Sequence, residues 1–160
     1  MTAMWDCVLY FLLTGALAFP LGRLLSRRRF DPDRWPYRSY SFEQNGTLYL
    51  RLRIDQWQAK VPDMSRIFPR FMPPKRMTGY SPALLQTMIQ ETCVAELVHR
   101  LLCLTGLHCT QLLPGAAGIV IWFLYVFLFN LPYILIQRYN RPRLLRLHAR
   151  VSKKAASACT

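Results

Sequence analysis

Between residues 101 and 137 the chain has no Lys, Arg, Asp or Glu, which excludes an ordinary solvated surface along that stretch. Acidic residues are scarce throughout, 8 against 21 basic ones, giving a formal net charge of +13 over 160 residues. Charge is therefore segregated from apolar sequence, and the basic flanks suit anionic lipid headgroups. A nucleic-acid partner would need a continuous basic stripe, whereas these basic residues only border apolar runs. Cysteine is limited to Cys7, Cys93, Cys103, Cys109 and Cys159, an odd set without a Cys-x-x-Cys pair. That argues against a disulfide framework or a thiolate zinc site. His99, Cys103, His108 and Cys109 give no recognised ligand spacing, so no metal is expected. A di-iron centre would need a second Glu-x-x-His helix, which is missing. Nor is there an internal repeat of the kind transporters carry, unless a homo-oligomer supplied one.

What is abundant is apolar sequence, 52% of a chain long enough for one domain. Residues 5–21 form a first run of spanning length. Its positive charges, Arg23, Arg27, Arg28 and Arg29, follow the run, unlike those of a cleaved signal peptide. This predicts a retained anchor with the N-terminus outside and the arginines in the cytoplasm. Residues 112–136 are the strongest spanning signal. Ser81 and Pro82 read as N-cap and first helical residue of a helix over 82–104. If that helix crosses, three spans put both basic blocks on one side. A re-entrant version would leave two spans and move the N-terminus inside.

The expected architecture is a single all-α integral membrane domain with about three transmembrane helices. A first span covers 4–22, a basic membrane-surface region 23–80, a second helix 82–104, a third span 112–137 and a basic tail 138–160. Within the surface region, residues 48–54 alternate strictly after Asn45 and Gly46, a hairpin signal, but an amphipathic helix over 47–60 fits equally. Pro62, Pro69, Pro73 and Pro74 forbid long regular elements up to Thr78. A turn over 105–111 folds the third span back, bringing Gly115, Ala116, Ala117 and Gly118 opposite Glu96 and His99. Asn130 and Pro132 interrupt that span, Asn130 as an interhelical hydrogen-bonding group. Pro142 is expected to begin an amphipathic tail helix with Leu144, Leu145 and Leu147 towards the membrane.

The polar exception within the apolar sequence is Glu96, His99 and Arg100, which share a helix face with Thr92 and Cys103. Ionisable groups at membrane depth cost several kcal/mol and mark either a reactive site or an ion-paired packing seam.

Several stretches together carry a resemblance. They are Asn130, Leu131 and Pro132; the run Gln137, Arg138, Tyr139, Asn140, Arg141, Pro142, Arg143, Leu144; and Glu91 and Thr92 ahead of Ala95, Glu96, Leu97, Val98 and His99. Ser41, Phe42 and Glu43 with Gly46, and Trp57 before Lys60, extend it. The chain resembles the small membrane glycosyl-4,4'-diaponeurosporenoate acyltransferases of staphyloxanthin-type carotenoid biosynthesis. It departs from them at Gln58, where a basic residue follows the tryptophan.

The resemblance implies transfer of a fatty acyl group from an activated donor, acyl-CoA or an acyl carrier protein, to a sugar hydroxyl of a membrane glycolipid. Such chemistry needs a base for the hydroxyl, and His99 fits because imidazole is neutral at working pH. Glu96, a turn earlier, would orient it. Direct attack is preferred to a covalent route through Cys103, since apolar surroundings raise a thiol's pKa. Arg100 or Asn130 would steady the oxyanion. Arg138, Arg141 and Arg143, with Asn140 among them, would grip donor phosphates or an acidic carrier surface, and Trp57 would contact substrate. No cofactor is required. The competing expectation is a non-catalytic lipid-binding or scaffold subunit in which Glu96, His99 and Arg100 form a structural network.

Overall fold

The computed structural model describes residues 2–61 and 81–157, and every regular element among them is helical. Helix α1, Thr2–Leu24, turns Trp5, Leu9, Leu12, Leu13, Leu17 and Leu21 outward with no protein to cover them. Its opposite face packs on α4, Pro82–Thr105, with which it runs antiparallel. Phe11 stacks on Tyr125 at 3.9 Å, Tyr10 donates to the Thr105 carbonyl at 2.9 Å, and Gly22 meets Val98.

The start of α4 is the one expected from sequence: the Ser81 side chain accepts from Leu84 N at 3.1 Å, and Pro82 occupies the first turn. Its buried residues Leu85, Ile89, Thr92, Cys93 and Glu96 recur at helical spacing and form one inward stripe. Two short pieces follow, a 3-10 turn Gly106–His108 and α5, Cys109–Leu112. Then come α6, Ala116–Leu124, a π-helical turn Tyr125–Asn130, and α7, Leu131–Ser157, which returns alongside α4.

Two helical stretches are long and apolar enough to cross a membrane, Ala3–Leu24 and Ala116–Ser157. The second reaches the basic tail without a break, contrary to the expectation that Pro142 starts a new helix. Pro142 lies inside α7. It removes one backbone hydrogen bond, but it is buried against Gly46, whose own φ of +96° is left-handed. Arg138 and Arg141, on the preceding turn, are held by buried carboxylates, and that packing carries the helix through.

The register of the α4 return also differs from expectation. The connection extends to Gly115 instead of ending near residue 111, so the small residues 115–118 stay with the turn. A Cβ on Gly118 would collide with the Leu113 carbonyl oxygen, and that is where its smallness is needed. Asn130, rather than residues 115–118, comes opposite His99. Cys7 and Cys109 form a disulfide that ties the start of α1 to α5, a pairing 102 residues apart that cysteine spacing did not suggest.

Residues 25–61 pack over the polar end of α4 and α7. Residues 47–60 take the helical option: α2, Thr47–Arg51, α3, Ile54–Trp57, and a 3-10 turn Gln58–Lys60. Arg53, with φ of +54°, breaks α2 from α3. Tyr49, Ile54 and Trp57 then pack on Tyr139 of α7. The expectation for Pro62, Pro69, Pro73 and Pro74 lies outside the described residues.

Candidate functional site

Glu96 has no exposed surface, yet it is charged and held on three sides. Its Oε1 accepts from Arg100, one turn along α4, and from Arg138 Nη1 at 2.7 Å; its Oε2 accepts from Arg141 Nη2 at 2.6 Å. Arg138 and Arg141 sit three residues apart on α7, so both reach the same carboxylate. Arg138 Nε also donates to Glu43 Oε1 at 2.5 Å, bringing in a second buried carboxylate from the surface region.

The remaining guanidinium hydrogens go to backbone carbonyls. Arg138 donates to Pro36 O and Arg38 O, and Arg141 to Tyr37 O and Thr92 O, with a further bond to Thr92 Oγ1 at 2.9 Å. Tyr40 and Tyr37 lie under the two guanidinium planes at 4.5 and 5.5 Å. Two carboxylates among three arginines thus form a closed network, the arrangement that makes burying such charges tolerable. At its edge Arg27 makes a two-pronged pair with Glu91 at 2.9 and 3.3 Å.

Glu43 was quoted among the matching residues, but nothing in its sequence context marked it as buried. Burial pushes its carboxyl up, but hydrogen bonds from Arg138 and Tyr49 and the Arg138 charge outweigh that and hold it below the usual carboxylate range. Tyr49, donating to Glu43 at 2.7 Å, is pushed well above the usual phenol value by burial and by that carboxylate. Tyr37 is raised too, chiefly by burial.

His99 stands one turn beyond Glu96 and does not join this network. Among the described residues its polar partner is Asn130, with Nδ1 and Oδ1 3.1 Å apart, and its ring stacks on Tyr133 at 4.6 Å. The expected Glu96–His99 pair is therefore not formed, because three arginines take up the Glu96 oxygens. Asn130 takes the orienting place instead. It is 1% exposed, and its Nδ2 donates to Tyr125 O at 3.1 Å across the π turn. That bond fixes which way the amide faces, so Oδ1 must accept from Nδ1–H and the lone pair of a neutral His99 lies on Nε2.

Of the other residues singled out from sequence, Arg100 is the most exposed of the three arginines around Glu96, its side chain 32% accessible. Arg138 and Arg141 are buried and occupied by carboxylates, so they cannot grip a donor's phosphates as expected. Arg143 is exposed on α7, Asn140 is half-buried, and Trp57 donates from its indole nitrogen to Leu52 O at 3.0 Å while packing on the Tyr49 cluster. Cys103 makes no hydrogen bond to His99 among the described residues; the Trp122 indole donates to its carbonyl.

A family model for glycosyl-4,4'-diaponeurosporenoate acyltransferase matches residues 32–150, which take in both buried carboxylates, His99 and Asn130. The chain belongs to that family. Glycosyl-4,4'-diaponeurosporenoate acyltransferases of Staphylococcus aureus strains N315 and USA300 are each 26% identical over 142 residues, covering 88% of this chain and 85% of their own. No solved structure matches. The chain is thus an acyltransferase. The matched region omits most of α1 but includes the whole arginine–carboxylate network.

Proposed function

We propose that this acyltransferase moves a fatty acyl group from a thioester donor to a sugar hydroxyl of a membrane glycolipid, with a glycosylated carotenoid as the acceptor named by its relatives. The observation that carries the reading is His99, half-buried beside the outward-facing apolar surface, with Nδ1 held by Asn130 and Nε2 left as the base. Nε2 takes the proton of the sugar hydroxyl as its oxygen attacks the acyl carbonyl. The tetrahedral oxyanion then collapses, breaking the bond to sulfur, and the imidazolium returns the proton to the leaving thiolate. Asn130 is occupied by His99 and Tyr125, so Arg100 is the donor available to the oxyanion. Glu96 serves by holding Arg100, Arg138 and Arg141, not by touching the imidazole.

The chain crosses the membrane three times in this reading, with the N-terminus outside and the C-terminus in the cytoplasm. In support, α1, α4 and the helix through α6 and α7 alternate in direction, and Arg27, Arg138 and Arg141 gather at one end. The Cys7–Cys109 disulfide lies at the other end, as suits an oxidising outer face. A scaffold role without catalysis gives way to membership in an acyltransferase family. The test is mass spectrometry of total lipids from cells making wild type or His99→Gln. A species heavier by one fatty acyl group should appear only with wild type; its persistence in the variant would refute the base assignment.

A further inference from the structure

We propose that a cleft beside Arg143 binds the phosphate of a phosphopantetheine thioester, which makes it the headgroup site for the acyl donor. The inference rests on the His99 reading above, which sets where the thioester must end.

The cleft has a volume of about 310 Å³ and lies between the surface region and α7, lined by Gln44, Thr47, Leu50, Tyr139, Arg143 and Arg146. Hydroxyl, amide and guanidinium groups face it, and no carboxylate is among the described lining residues. The contrast with Arg138 and Arg141 is the central observation, since each of those is neutralised by a buried carboxylate. Arg143 is instead held by an aromatic neighbour. Its Nη1 donates to Tyr139 OH at 2.5 Å and its guanidinium lies 4.8 Å over the Tyr139 ring. That contact fixes the plane and leaves Nε and Nη2 without a partner among the described residues, the pair of donors a phosphate accepts side by side.

The opposite wall is built with left-handed backbone at Gln44, φ +48°, and Gly46, φ +96°. Such conformations are uncommon for glutamine and recur at ligand sites.

Distance selects the ligand. Tyr133 stacks on His99, and Arg143 follows it by ten residues on one continuous helix. That separates the two by about 15 Å along the axis and about 80° around it. In a phospholipid the ester carbonyl lies only a few bonds from the phosphate and would fall far short of His99. A pantetheine arm between phosphate and thioester covers such a gap. Coenzyme A and a carrier-protein prosthetic group share that arm and that phosphate.

The experiment is equilibrium binding to the full chain in neutral phosphatidylcholine nanodiscs, using coenzyme A, 4'-phosphopantetheine and pantetheine as probes. Coenzyme A and 4'-phosphopantetheine should bind at least about tenfold tighter than pantetheine. Arg143→Gln should remove that advantage, leaving pantetheine unchanged, and Tyr139→Phe should lose part of it. Equal binding of pantetheine and 4'-phosphopantetheine, or an Arg143→Gln variant that keeps the difference, overturns the proposal. Tight coenzyme A with weak 4'-phosphopantetheine overturns it as well, since recognition would then lie in the nucleotide. A preference for acyl carrier protein over coenzyme A in a parallel assay, also lost in Arg143→Gln, upholds the site and names the source. Binding is read without turnover, so His99→Gln should bind all three probes like wild type. Failure of the base assignment therefore shows in the lipid analysis alone, and failure of the cleft in binding alone.

Discussion

Arg141 reaches Thr92 and Glu96 with a single nitrogen: Nη2 lies 3.0 Å from the Thr92 carbonyl and 2.6 Å from Glu96 Oε2. One guanidinium thus closes both the backbone and the carboxylate of the α4 turn that precedes His99. Stability and catalysis are adjacent in this protein, but they depend on different side chains.

That separation predicts opposite behaviour for two neighbours. Glu96→Gln leaves buried guanidiniums without a counter-charge, a loss of about 3–5 kcal/mol, and the protein should fall out of membranes or melt early. His99→Gln should keep the wild-type melting temperature and lose turnover. Thermal melts of both variants in detergent, beside their lipid products, check this; equal melting temperatures would argue against the network as the main brace.

Asn130 should set the pH dependence of turnover. Asn130→Leu leaves the imidazole tautomer unfixed and should reduce kcat by roughly 10- to 100-fold. Asn130→Asp places a carboxylate at the same position, favours the imidazolium, and should move the acid limb of the pH–rate profile upward. A profile that does not move in Asn130→Asp would mean that His99 is not the titrating base.

Glu43 ties stability to acid. Its folded carboxyl lies below the usual range, so its contribution is complete above the unfolded value and is lost as pH falls through the depressed folded one. Tryptophan fluorescence during acid titration, with Trp57 packed nearby, should show a transition at the low end of the carboxylate range that Glu43→Gln abolishes. Unchanged acid sensitivity in that variant would place the sensitive group elsewhere.

The disulfide gives a test of sidedness. Intact cells should carry Cys7 and Cys109 as one disulfide-linked fragment pair in a non-reducing digest. After mild external reduction, a membrane-impermeant maleimide should label both and spare Cys93, which is buried. Labelling that needs a permeabilised membrane would reverse the proposed topology.

Much of this architecture was legible in the sequence because it follows local rules. Ser81 and Pro82 marked the start of α4, the apolar runs gave both long helices, and helical spacing grouped Glu96 with Arg100. Register was not legible. The return helix begins after an extra turn that only the close contact of Gly118 with Leu113 reveals, and that shift places Asn130 against His99. Partner choice was hidden for the same reason. His99 and Glu96 share a face, but two arginines from a distant helix compete for the carboxylate, and no local pattern records that competition. The Cys7–Cys109 pair likewise depends on how α1 docks.

The wide turn Tyr125–Asn130 sets the rotational phase of everything after it. Removing one residue there would restore ordinary winding and swing the whole C-terminal half by about 100°. Arg138 and Arg141 would then face away from Glu96. A single-codon deletion in a purely apolar stretch should be as damaging as loss of the buried charges themselves.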